Sequence, residues 1–190
     1  MTRVRLRIAD AWPAAFVLGL LMSGGCAGLA PVKTDAFAGL WVPSPPEVIT
    51  AMLELAAVAP GDVVYDLGAG EGEIVIEAAR RAGVRAVGVE LDHERIGNAA
   101  KNAMAAGVTS RVTFIERDMF EVDIAEATVV TLYLFPELMR KLRPKFLCEL
   151  RPGTRIVSHD FRLPDWPPEK TVDVSLDRIR RVYLWTVPPR

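Results

Sequence analysis

The chain has 190 residues, 51% apolar and 25% charged, enough to bury one core, with no disordered or repetitive stretch in its pattern. A net charge of −1 and a pI near 6.2 exclude a global field that would recruit nucleic acid, so no nucleic-acid partner is expected. Two cysteines, Cys26 and Cys148, make neither a disulfide framework nor a metal cluster; Cys148 reads as an inert packing residue in a helix, and no metal is expected.

Arg3, Arg5 and Arg7 precede an apolar run over residues 12–22, and small residues around Cys26 follow. Basic, short apolar and small segments in that order describe an export signal over residues 1–30. Cys26 after small residues suggests lipid attachment, although leucine is not at the usual third place before it, and cleavage after Ala30 competes. Residues 11–32, with no charge among 22 positions, are also long enough for an uncleaved membrane anchor. The three arginines would then keep the N-terminus inside. An exported or membrane-anchored protein is therefore expected, and a cytoplasmic one with a mis-called start near Met22 is the alternative. Residues 31–40 read as a linker, and 41–190 as one folded domain, expected as a monomer.

Ser44-Pro45-Pro46-Glu47 fits a capping box, with serine at the N-cap, proline at N1 and glutamate at N3. The helix it opens places Val48, Ile49, Met52, Leu53 and Ala56 on one stripe. Pro60-Gly61-Asp62 then turns into a buried strand, Val63-Val64-Tyr65-Asp66-Leu67, which breaks into Gly68-Ala69-Gly70-Glu71-Gly72-Glu73. A helix over 74–81 follows. Strand, glycine turn and helix bring a backbone close to a nucleotide cofactor, and Gly68 and Gly70 are expected at positive φ or in close approach to the ligand. A dinucleotide fingerprint would be G-x-G-x-x-G, with a pyrophosphate on the helix N-terminus. Here the spacing is G-x-G-x-G, and Asp66, Glu71 and Glu73 would repel a pyrophosphate. A ligand with a positive amino-acid end suits them, which points to S-adenosyl-L-methionine.

Downstream, residues 85–90 form a second strand ending in Glu90, placed to accept hydrogen bonds from ribose hydroxyls. A helix over 92–106 begins at Asp92, a natural N-cap. A third strand, 112–115, leads to Asp118 and Met119. Strand four spans 128–134, and a helix over 136–150 is interrupted or restarted at Pro144. Strand five spans 155–159. A proline-rich loop clipped by Trp166 precedes two last strands near 171–174 and 181–187. The fold class is α/β: a Rossmann-like, doubly wound, mostly parallel sheet of seven strands with an antiparallel last strand.

The segment 41–185 resembles class I S-adenosylmethionine-dependent methyltransferases. More narrowly, it is similar to the small group containing the mitochondrial lysine methyltransferases of the ATP synthase c subunit and the adenine nucleotide carrier, with their bacterial relatives. The residues that carry this are Val42-Pro43-Ser44-Pro45-Pro46-Glu47-Val48, Tyr65-Asp66-Leu67-Gly68-Ala69-Gly70-Glu71-Gly72, Gly88-Val89-Glu90 and Val157-Ser158-His159-Asp160-Phe161. The group usually has Asp-Gly-Arg after the second glycine of its loop; Glu71-Gly72-Glu73 stands here, so that arginine's contact is missing. The resemblance implies cofactor contacts at Ser44, Asp66, Gly68, Ala69, Gly70, Gly72, Glu90 and Leu91. It further implies that Asp118 holds the adenine amino group while Met119 flanks the ring. It also implies methyl transfer to an acceptor that is a protein lysine or a small molecule.

Ligands in such sheets sit outside the carboxyl ends of the strands, which selects residues 66–72, Glu90, Asp118, 133–137 and 158–161. An amine acceptor must lose a proton before attack, and Tyr133, Glu137 and Asp160 are the candidate catalytic groups, the tyrosine as a positioning hydroxyl. Each has a structural rival: Tyr133 in the sheet core, Glu137 charging a helix start, His159 as a satisfied core histidine, and Glu71 and Glu73 as first-turn acids favoured by the helix dipole. Two other functions remain open: a cofactor-binding relative without catalysis, and a nicotinamide-dependent enzyme.

Overall fold

The computed structural model describes residues 42–190 and the strand path of Val4–Ile8. The expectations for residues 9–41, including the apolar run, Cys26 and the linker, lie outside the described residues. Among those described, no helix is long and apolar enough to cross a membrane.

The elements run β1 (Val4–Ile8), α1 (Pro46–Leu55), β2 (Val63–Leu67), α2 (Glu73–Ala82), β3 (Arg85–Glu90), α3 (His93–Ala105), β4 (Val112–Glu116), β5 (Val129–Leu132), α4 (Pro136–Glu149), β6 (Arg155–His159), β7 (Lys170–Ser175) and β8 (Ile179–Thr186). They build one sheet in the order β1-β7-β8-β6-β5-β2-β3-β4. The seven strands β2 to β8 are those expected. Strands β4, β3, β2, β5 and β6 pair in parallel, and β8 enters antiparallel between β6 and β7. An eighth strand joins the edge: β1, whose sequence forms part of the basic start of the expected leader, pairs antiparallel with β7.

Side-chain alternation divides the core into two faces. Val64, Ala86, Val129 and Val157 meet the apolar sides of α1 and α2, while Tyr65, Leu67, Val87, Leu132 and Ile156 meet α4. The chain order reverses at β2, which has β3 on one side and β5 on the other. That switch point opens a crevice above the carboxyl ends of the strands.

Two expected local features differ. Helix α1 is capped at Pro45, not Ser44, and no side chain bonds its free N–H groups; the Ser44 hydroxyl goes to His159 instead. Helix α4 runs unbroken through Pro144. Its buried face of Leu138, Met139, Leu142 and Phe146 offsets the lost backbone hydrogen bond, a defect of about 3 kcal/mol in an unsupported helix. Cys148, on the same helix, is disulfide-bonded rather than an inert thiol. Trp166 does clip the loop: its carbonyl accepts the Trp185 indole N–H at 2.8 Å.

Gly88 lies beside Asp66 in the β2–β3 register because Phe114 crosses over it from β4. A Cβ at Gly88 would meet Phe114 Cδ1 at 2.8 Å and Ala69 Cβ at 2.9 Å. Overpacking of this kind costs about 1–3 kcal/mol. Gly88→Ala is expected to lower Tm by roughly 2–10 °C. Adding Phe114→Leu is expected to restore part of the loss; an unchanged Tm in Gly88→Ala would contradict this packing.

Candidate active site

Strand β2 delivers Asp66 to the crevice and then turns through three glycines with φ of 82°, 56° and 85° at residues 68, 70 and 72. Only glycine takes such values without strain, and three of them bring the backbone across the top of β3. Gly68 N and Ala69 N both donate to Val89 O, at 2.8 and 2.9 Å. Gly70 N donates to Glu90 Oε2 at 2.9 Å. The other Glu90 oxygen, Oε1, accepts from Leu91 N at 2.8 Å and Asp92 N at 3.0 Å. Of the roughly four acceptor positions a carboxylate offers, three hold the loop to the strand tip and one remains for a ligand hydroxyl. Asp92 then caps α3, accepting from Glu94 N and Arg95 N.

The crevice is a cavity of about 290 Å³. One end is acidic. Asp66, Glu73 and Glu90 line it, with Arg95 and Asp92 beside them and Leu91 and Met119 as apolar neighbours. Asp66 is buried, and its carboxylate accepts from Thr131 Oγ1 at 2.7 Å. Burial pushes its pKa up to about 7, with Glu73 and Glu90 adding repulsion against the Thr131 hydrogen bond. Burial also raises the Glu73 carboxyl, helped by Glu71. Four carboxyls around one cavity, two of them raised by burial, form a set of acceptors suited to a cation. A sulfonium and an ammonium on one ligand fit it; a pyrophosphate does not.

The other end is aromatic. Tyr133, Phe135 and Phe161 line it, with Val42, Pro43 and Leu138. Phe161 lies 6.0 Å from Tyr133 and 6.1 Å from Phe135, centroid to centroid. Tyr133 leaves β5 where the sheet ends, and Phe161 follows β6 after a sharp turn at Asp160.

The residues singled out in the sequence divide accordingly. Ser44, Asp66, Gly68, Ala69, Glu90, Leu91, Met119 and Tyr133 line the cavity. Gly70 and Gly72 support it from behind: Gly70 through Glu90, and Gly72 by making room for Phe114, whose Cζ would lie 2.8 Å from an added Cβ. Asp118 is not among the lining residues, its carboxylate accepting from Phe120 N at 2.9 Å within its own turn, while Met119 lines the cavity. Glu137 sits in the first turn of α4 and pairs with Lys141 at 3.3 Å, away from the cavity wall. Asp160 faces the β7–β8 hairpin, bonding Arg178 at 2.7 Å and Arg181 N at 3.0 Å. Glu71 is tied to α3 by Asn98 and Asn102. His93 is exposed, 2.8 Å from Glu116. Sequence reasoning did not single out Phe135 or Phe161 as site residues, although both fall in strand-end stretches that the topological rule selects.

A family profile described as the ANTKMT methyltransferase domain matches residues 66–170, more than half the chain. The chain belongs to this methyltransferase family. It is 45% identical over 149 residues to a protein-lysine N-methyltransferase of Saccharolobus islandicus, covering 77% of this chain and 92% of that one. It is 36% identical over 129 residues to the adenine nucleotide translocase lysine N-methyltransferase of Mus musculus, covering 67% of this chain and 56% of the mouse protein. A crystal structure described as an RNA methyltransferase from Salinibacter ruber, in complex with S-adenosyl-L-homocysteine, superposes with a TM-score of 0.74. That protein is 51% identical, and the match covers 78% of this chain and 95% of it. The protein is an S-adenosylmethionine-dependent methyltransferase of class I. Catalysis sets aside the binding-only reading, and the cofactor sets aside the nicotinamide one.

The raised Asp66 pKa makes the charge of the cavity's acidic end depend on pH. For a carboxyl whose folded value is above its unfolded 3.8, the stabilising contribution is complete below about pH 4 and is lost as pH rises through about 7. Asp66→Asn is therefore expected to raise Tm more at pH 8 than at pH 4. A cationic ligand needs the ionised form, so affinity for S-adenosylmethionine is expected to tighten about tenfold from pH 6 to pH 8 in the native protein and to stay flat in Asp66→Asn. Calorimetric titration across that range checks this; parallel pH dependence in both proteins would contradict it.

Proposed function

We propose that the methyl acceptor is a lysine side chain of a protein. The single observation that carries this reading is the cavity's aromatic end, walled by Tyr133, Phe135 and Phe161. A lysine is a flexible apolar stem ending in an amine. An aromatic wall accepts the apolar stem by burial, worth about 0.8 kcal/mol per methylene. Such a wall also disfavours the charged amine when water is excluded, easing loss of its proton. The names of the relatives from Saccharolobus islandicus and Mus musculus point the same way.

When bound, the cofactor supplies an electrophilic methyl on a sulfonium. The chain's residues do the rest. Glu90 and the glycine turn hold the loop that receives the cofactor, and Asp66 with Glu73 supplies negative charge. Tyr133, Phe135 and Phe161 orient the acceptor. The amine first gives its proton to solvent; its lone pair then forms the N–C bond as the C–S bond breaks, and the electron pair leaves with the thioether. Positioning of this kind contributes about 7–11 kcal/mol in well-aligned systems.

RNA is the second reading, favoured by the description of the Salinibacter ruber structure. The hairpin beside the aromatic end argues against it. Arg178, Arg180 and Arg181 are paired with Asp160, Asp177 and Asp173, which leaves that rim electrostatically muted. The location expected from residues 1–30 bears on which proteins are within reach, and export or membrane anchoring remains part of this proposal.

The test is incubation with methyl-labelled cofactor and a lysate divided into protein and RNA. Label in acid-stable N-methyl-lysine is expected, with Phe161→Ala losing at least about tenfold of the rate through the mislaid acceptor. Label confined to RNA would overturn the lysine reading.

A further inference from the structure

The first strand-end motif beyond the cofactor loop that carries unexplained geometry is Ser158-His159-Asp160-Phe161. His159 is wholly buried, yet it does not line the cavity. Its ring lies face to face with Tyr133, centroids 3.9 Å apart and planes 25° apart. Its Nδ1 is 2.9 Å from Ser44 Oγ. Its Nε2 has no hydrogen-bond partner but lies 3.5 Å from Asp160 Oδ2, out of line for a hydrogen bond. One arrangement satisfies all three neighbours: the Ser44 hydroxyl donates to Nδ1, and the Nε2–H faces the Asp160 carboxylate. Burial lowers the His159 pKa to about 4, with Arg180 and Arg178 pushing the same way and Asp160 opposing them, so the ring is neutral near pH 7.

The backbone beside it is strained. Asp160 has φ of 58°, and Phe161 N donates to His159 O at 2.7 Å, closing a γ-turn. Positive φ at a residue other than glycine persists only where its surroundings hold it. Here Asp160 N donates to Arg181 O at 2.7 Å, and the Asp160 carboxylate takes Arg178 and Arg181 N. The turn sends His159 to one side, under Tyr133, and Phe161 to the cavity on the other.

We propose that His159 is a positioning residue that sets the shape of the cavity's roof and aromatic end, acting through Ser44 and Tyr133. The inference rests on the methyl-transfer reading but not on lysine as the acceptor. Val42, Pro43 and Ser44 form the roof, and the Ser44 hydroxyl is their tie to the sheet. Tyr133 is the aromatic residue nearest the end of β5, and the His159 ring is the surface it lies on. A proton-transfer role is not needed: the ring is screened from the cavity by the two residues it holds.

A double-mutant cycle separates positioning from fold support. S-adenosylhomocysteine affinity, read by calorimetry, needs no acceptor and reports the roof even if the acceptor assignment fails. His159→Phe keeps a ring beneath Tyr133 but removes the partner of Ser44, and is expected to weaken that affinity about tenfold, the loss of one buried hydrogen bond. Ser44→Ala is expected to do the same from the cavity side, and the double variant to lose no more than either single one. His159→Asn keeps an acceptor for Ser44 but loses the stacked ring, so affinity is expected to stay within about threefold while kcat falls about tenfold. The pH profile of kcat is expected to keep every ionisation in all His159 variants that fold. Additive losses in the cycle, unchanged affinity in both Ser44→Ala and His159→Phe, or an ionisation removed with His159 would overturn the proposal. Should His159→Phe fail to fold, Ser44→Ala decides alone: unchanged affinity refutes the tie.

Discussion

The cofactor site depends on where the Glu90 carboxylate spends its acceptor positions. Strand β3 ends on this residue, and both oxygens turn back onto backbone: Gly70 N on one, Leu91 N and Asp92 N on the other. A buried backbone N–H left without a partner costs about 1–3 kcal/mol, so one side chain removes three such costs. It also fixes two turns at once, the glycine loop after β2 and the start of α3. Asp66, Ala69 and Leu91 have their places in the cavity because that carboxylate clamps the two turns together. A ribose contact, the role the sequence suggests for Glu90, has to share the same carboxylate.

The cavity joins two unlike environments. At the glycine loop, the acids face inward at an energetic cost visible in the raised Asp66 carboxyl. At the ends of β5 and β6, the lining is aromatic and its polar groups are turned away: Asp160 toward Arg178, Glu137 toward Lys141. The first end is suited to a cation, and the second offers an apolar wall. That division suits methyl transfer, in which the donor carries positive charge and the acceptor must arrive uncharged.

Much of this was legible in the chain. Apolar runs ending in Leu67 and Glu90 mark strands because parallel strands buried on both faces read as continuous apolar stretches. The strand-end rule then brings Asp66, Glu90 and Tyr133 to one crevice, and all three line it. What was not legible depends on distant partners. Ser44 followed by Glu47 satisfies a local capping pattern, but its hydroxyl is taken by a histidine 115 residues away. Pro144 predicts a break that buried packing on α4 overrides. Asp160 sits among the candidate acids by position, yet a positive φ and two arginine contacts turn its carboxylate outward.

Glu73 fits the same electrostatic account. Glu73 begins α2, where the helix dipole favours an acid, and it lines the cavity beside Asp66. A crystal structure of the protein with S-adenosylhomocysteine tests the central claim most directly. The account predicts the ribose hydroxyls on the remaining acceptor position of Glu90, the amino-acid end beside Asp66 and Glu73, and the sulfur turned toward Tyr133 and Phe161. A ligand whose sulfur faces away from that aromatic wall, or whose ribose bypasses Glu90, would contradict it.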